Sequence, residues 1–176
     1  LEASAKEGKP AVLQKDYTLS SRIALSALAG EAKLDLNGKT LTLAWEGSSL
    51  DNAKLTISNG TLLCTDKGEM FDLYGSDDPQ ATNYSVLTIA ENVKVQVPAV
   101  DDETYFVGIG VTTPALRKDK MNGIVVNFNG SFEGQCPFYI QGTMTTVSDN
   151  APTFNIGSTA TFDCASSLAY AGGYGI

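Results

Sequence analysis

From Ala11 onward the apolar residues of this chain recur at every second position. "AVLQKDYTLSS", "RIALSAL", "KLDLNGKTLTL", "KLTISNGTLLC", "MFDLYG", "SVLTIAENVKVQV", "TYFVGIGV", "GIVVNFNGSFEG", "PFYIQGTM" and "TFNIGSTATFDC" all show it, each bounded by Gly, Asn, Asp, Ser or Pro. A period of two places alternate side chains on opposite faces of a strand, so nearly the whole chain is predicted to be β. One helix is predicted, at the start, where Leu1 and Ala5 share a face and Gly8 and Pro10 supply a stop. Alternating α/β folds are thereby excluded. The choice lies among a sandwich, a barrel and a β-solenoid.

One unit returns: apolar, polar, apolar, then Asn or Gly. Its first apolar residues align at Leu34, Leu55, Leu87, Val126 and Phe154, at intervals of 21, 32, 39 and 28 residues. Short constant cores with uneven spacing suit a parallel β-helix, in which loops leave at the corners while inward residues stay stacked. With roughly 20 to 30 residues per coil, the chain would make about six coils. A second reading starts from Asn37-Gly38 and Asn59-Gly60, the strongest short hairpin signal, and leads to an antiparallel β-sandwich. The two differ in one testable respect: a hairpin sets Leu34 against Leu41, a solenoid against Leu55. In a solenoid, Asn37, Asn59, Asn92 and Asn129 are the candidate corner residues, able to tolerate positive φ and to bond to one another as a ladder.

The 176 residues suit one domain, with residues 1–10 as a cap helix and 11–176 as the β body. Twelve basic and twenty acidic residues give a net charge of -8, which repels nucleic acid and anionic membranes. Charged residues are only 18% of the chain, while Gly, Ser, Thr and Asn abound, a balance common in secreted all-β proteins. There is no histidine, so acid and base work would fall to carboxylate, lysine or tyrosine. Cys64, Cys136 and Cys164 lack metal or redox spacing and read as small buried hydrophobes, with a single bridge as the alternative. No apolar run approaches a membrane span and no export signal opens the chain; both ends are expected to be cuts in a longer precursor.

"AVLQKDYTLSSRIAL" followed by "KLDLNGKTLTL" resembles the first coils of pectin-lyase-like, right-handed β-helix modules of secreted and cell-surface proteins of gut bacteria. The resemblance rests on Val12, Leu13, Asp16, Leu19, Ile23, Leu25, Leu34, Asp35, Leu36, Asn37, Gly38, Lys39, Thr40, Leu41 and Thr42, and covers residues 11 to 65. It implies a right-handed parallel β-helix, a short N-terminal capping helix, and a C-terminal end whose last coil is covered by chain beyond this segment. It is uninformative about activity, because such coils carry adhesins, surface stalks and carbohydrate-active enzymes alike.

Two acidic loops, Asp77-Asp78 and Asp101-Asp102-Glu103, lie beside Tyr74, Tyr84 and Tyr105. Tyrosine and carboxylate together suit a sugar-binding surface, the aromatic stacking on a ring and the acid bonding its hydroxyls. Solvated turns and half-buried strand tyrosines are the plain alternative. Catalysis would need a second carboxylate or an arginine on the same face, and Arg22 and Arg117 are the sole arginines. Asn59-Gly-Thr, Asn83-Tyr-Ser and Asn129-Gly-Ser satisfy the glycosylation sequon but read as turn chemistry, and Gly108-Ile-Gly-Val lacks the helix a dinucleotide loop requires.

The expectation is a non-catalytic secreted or cell-surface β-helix, structural or adhesive. It would present loops around residues 75–85 and 98–122 to an extracellular polysaccharide or a host surface protein, beside further domains of its precursor. No cofactor or metal is expected. The rivals are a polysaccharide lyase or glycoside hydrolase on the same fold, and a carbohydrate-binding β-sandwich.

Overall fold

The computed structural model describes residues 1–44, 48–66, 68–98, 104–109, 121–141, 152–165 and 169–172. Among the described residues one helix, α1 (Glu2–Glu7), is followed by sixteen strands. They are β1 (Ala11–Val12), β2 (Tyr17–Leu19), β3 (Ala24–Ser26), β4 (Glu31–Leu43), β5 (Ser48–Asp51), β6 (Lys54–Cys64), β7 (Gly68–Tyr74) and β8 (Ser85–Ile89). After them come β9 (Val93–Val97), β10 (Thr104–Ile109), β11 (Ile124–Phe128), β12 (Ser131–Gly134), β13 (Cys136–Gln141), β14 (Thr153–Ile156), β15 (Thr161–Cys164) and β16 (Ala169–Gly172).

The strands form two sheets. In the larger, β14-β11-β8-β6-β9-β12-β15 pair in that order, β6 also pairs with β4, and β4 carries β1 and β2. In the smaller the order is β16-β13-β10-β7-β5-β3. Every strand pair is parallel. The antiparallel sandwich alternative is therefore overturned: the apolar pattern around Asn37 and Asn59 is satisfied by parallel neighbours on other strands, not by a turn back on itself. The larger sheet curls because β6 belongs to two ladders. Its first half pairs with β8 and its second half with β9, and Asn59, at φ 61°, bends the strand between them.

The registers run in long columns. Leu55 pairs with Leu87, Leu87 with Val126, and Val126 with Phe154, as the sequence alignment expects. Leu34 does not join this column; it pairs with Ile57, and Ala32 takes the place opposite Leu55. The cause lies at the corner of β4. Asp35 faces Ser58 and Lys39 faces Gly60, so β4 spends two more residues on its corner than β6 does. A two-residue shift keeps the same side chains inward, because the strand period is two.

The polar ladder at this corner also differs from the expected one. Asn59 Nδ2 donates to Asp35 Oδ1 at 2.9 Å, and Asn92 Nδ2 donates to Asn59 Oδ1. The rungs are thus Asp35, Asn59 and Asn92, while Asn37 instead donates to the Leu13 carbonyl at 3.2 Å. Asn37 and Asn59 have positive φ; Asn92 and Asn129 do not.

Between the sheets lies an apolar core rich in phenylalanine. Phe106 meets Phe71 and Phe128 edge-on with ring centroids 5.7 and 6.3 Å apart, and Phe128 also meets Phe138 and Phe162 at 6.2 and 4.9 Å. Full burial of each such side chain contributes about 1.5–3 kcal/mol. Helix α1 covers one end: Leu1 and Ala5 pack on the core, and Ser4 Oγ donates to the Lys33 carbonyl at 3.0 Å while accepting from the Lys33 amide at 2.9 Å. Cys64 is fully buried in β6, where burial pushes its thiol far above the usual range; Cys164 is half-buried in β15.

Candidate functional site

The connection from β7 to β8, residues 75–84, holds the first acidic pair named from the sequence. It is tied to the segment before β11 by a short antiparallel bridge. The Ser76 amide donates to the Asn122 carbonyl at 2.9 Å, the Asn122 amide returns at 3.3 Å, and Asn122 Nδ2 donates to the Ser76 carbonyl at 3.0 Å. Both residues are buried. Gly123 completes the clasp at φ 75°: a side chain there would meet Tyr84 Cβ at 2.9 Å, and the Gly123 carbonyl accepts from the Tyr84 amide at 2.7 Å.

Within this frame the predicted residues separate. Asp78 does turn work, its Oδ1 accepting from the Gln80 amide at 2.9 Å and its own amide donating to Ser76 Oγ at 3.0 Å. Asp77 is exposed and Tyr74 is half-buried. Tyr84 is half-buried, and its hydroxyl donates to Asp51 Oδ1 at 3.2 Å. Burial, then the charge and hydrogen bond of Asp51, then the charge of Asp77, push the Tyr84 hydroxyl above its ordinary range. Asp51, Asp77 and Tyr84 thus form one electrostatic unit. Next to Tyr84, Ser85 is buried, and its Oγ bonds to the carbonyls of Leu50 and Tyr74 at 3.1 and 2.5 Å, fixing where β8 begins.

Of the second predicted group only Tyr105 is described. Asp101, Asp102, Glu103 and Arg117 lie outside the described residues. Tyr105 is 9% exposed and stacks on Tyr139, ring centroids 4.6 Å apart and planes 17° apart. Its ring therefore packs against protein rather than standing open to a ligand. Asp72, which the sequence reading passed over, is 6% exposed on the smaller sheet, in register between Ser49 and Gly108. Its one sequence signal is a carboxylate between Phe71 and Leu73 in "MFDLYG". Asp51 had no local signal at all.

Chemically, a phenol held protonated beside a carboxylate is a hydrogen-bond donor and an aromatic surface, not a base. Among the described residues no group of three or more Cys, Asp or Glu could hold a metal ion. No helix of the described residues is long and apolar enough to cross a membrane.

The chain matches no protein-family model, no curated protein and no solved structure. The expected membership of the pectin-lyase-like modules of gut bacteria is corrected accordingly. The phrases that suggested it, "KLDLNGKTLTL" and "LTISNGTL", are accounted for by parallel strands with asparagine corners. What the fold defines is a mostly β protein of two all-parallel sheets with one short N-terminal helix.

Proposed function

We propose that the chain is a right-handed parallel β-helix of six passes serving as a non-catalytic glycan-binding module, secreted or displayed at a cell surface. Constant registers support the winding. Three columns repeat, through Leu55-Leu87-Val126-Phe154, Leu62-Val95-Phe132-Phe162 and Leu50-Leu73-Ile109-Ile140, and parallel crossovers in a sheet are nearly always right-handed. The longest connections, β7 to β8, β10 to β11 and β13 to β14, all fall between the third column and the first. The secreted setting is supported by the low share of charged residues and the abundance of Gly, Ser, Thr and Asn.

The observation that carries the binding reading is the clasp of Ser76 and Asn122 beside the Tyr84–Asp51 pair. It holds an aromatic hydroxyl and carboxylates on a loop whose geometry is set in advance, which lowers the ordering cost of binding. A neutral polysaccharide suits it, since the carboxylates accept from ring hydroxyls and would repel an acidic chain. Affinity electrophoresis through gels cast with neutral glucans, mannans and galactans tests this. Retardation by at least one polysaccharide, weakened in Tyr84→Phe and Asp77→Ala and unaccompanied by new reducing ends, is the expected result. Release of reducing ends would favour a hydrolase, and retardation unchanged in both variants would place the binding elsewhere.

A further inference from the structure

The sequence holds four Asn-Gly pairs, at Asn37, Asn59, Asn122 and Asn129. An Asn-Gly pair can cyclise: the glycine amide nitrogen attacks the asparagine Cγ, a new C–N bond forms, and Nδ2 leaves as ammonia with the proton given up by the amide. Water then opens the succinimide to aspartate or isoaspartate. Both the attacking amide and the side-chain amide must be able to turn toward each other, so the fold decides which pair reacts.

Three of the four are held. At Asn59 both side-chain atoms are engaged, by Asp35 and Asn92, and the Gly60 amide donates to the Asn92 carbonyl at 3.2 Å. Asn122 is buried, with its side chain and backbone bonded to Ser76. Behind Asn129, Gly130 is buried so closely that an added Cβ would meet the Val93 carbonyl oxygen at 2.3 Å. Asn37 and Gly38 differ in the room around them and in how few bonds hold the asparagine side chain. Both are exposed, both have positive φ (51° and 72°), and they lie in the corner where the β4–β6 ladder breaks between Asp35 and Lys39. A Cβ on Gly38 would meet nothing within 4 Å, and the Asn37 side chain is held by one hydrogen bond, to the Leu13 carbonyl at 3.2 Å, where that of Asn59 is held by two.

We infer that Asn37-Gly38 is a site of spontaneous succinimide formation and deamidation, singled out from the other Asn-Gly pairs by the fold. The product has a structural effect. A carboxylate at position 37 loses the donor to Leu13 and joins Asp35, whose Oδ1 already accepts the residue 37 amide, and Asp16, whose Oδ1 accepts the Thr40 amide. Like charges collect at the point where the first pass is tied to the second. Deamidation therefore loosens β1 and β2, the strands within residues 9–30 that pair with β4, as the protein ages.

The test is peptide mapping of the intact chain held folded at physiological temperature and neutral pH, with fragmentation that separates aspartate from isoaspartate, in parallel with a sample in concentrated urea. Asn37 is expected to convert at least about tenfold faster than Asn59, Asn122 or Asn129 when folded, and at a similar rate to them in urea, as local opening would dictate. Equal rates in the folded protein, or the same ranking kept in urea, would overturn the assignment. Limited proteolysis of Asn37→Asp checks the consequence: faster cleavage within residues 9–30 with the later strands intact is expected, and an unchanged pattern would overturn the loosening.

Discussion

Tyr84 carries its proton toward Asp51 with Asp77 nearby, and this makes a pH dependence that can be worked out by sign. The folded hydroxyl titrates above the unfolded value near 10, so its contribution to stability is complete below that pH and declines as pH climbs through the folded value. Tyr84→Phe should cost about 1 kcal/mol at neutral pH, the worth of one hydrogen bond. The variant should also lose less stability than the parent between pH 10 and the folded titration point. Urea melts across the alkaline range measure both effects. Tyr84 and Asp77 could be named from sequence because they share a loop, whereas Asp51 lies 33 residues from Tyr84 and meets it only through the fold. Tyr105 looked alike to Tyr84 in sequence, yet Tyr139, 34 positions on, stacks on its ring. Local pattern holds no trace of partners so far along the chain.

At the scale of elements, β4 and β6 explain both what was legible and what was not. The alternation in "KLDLNGKTLTL" and "KLTISNGTLLC" specified strands with Leu34, Leu36, Leu41 and Leu43, then Leu55, Ile57 and Leu62, turned inward, and all seven are buried. The asparagines marked the bend. The register escaped, because two Asn-Gly corners that read alike differ in length by two residues. The shorter corner is the tighter one: a Cβ on Gly60 would meet the Lys39 carbonyl oxygen at 2.5 Å and Leu36 Cβ at 2.6 Å, whereas one on Gly38 meets nothing. Gly60→Ala should therefore destabilise by about 1–3 kcal/mol through forced backbone movement. Gly38→Ala should cost only about 1 kcal/mol, from its left-handed backbone. Chemical denaturation of the two variants side by side measures the difference, and equal costs would mean that the β4 and β6 corners are not packed on each other.

Across the whole molecule, cohesion passes between neighbouring strands within each column, and α1 closes one end of the stack through Ser4 and Lys33. Removing residues 1–8 should thus speed amide exchange most in β4, which α1 contacts, and less in β1 and β2, which pair with β4, leaving β8 to β13 nearly unchanged, as nearest-neighbour coupling requires. Hydrogen-exchange mass spectrometry gives the gradient; uniform acceleration along the chain would show that cohesion is global instead. The same parallel ladders set how the protein would bear load. Each strand is bonded edge to edge with its parallel neighbour, so tension between Leu1 and the last strand opens the bonds of one ladder after another, like a zip, rather than shearing a whole sheet at once. Under traction the chain would lengthen strand by strand at modest force, and helix α1, held by Ser4 and by the packing of Leu1 and Ala5, would be the first to let go at its own end.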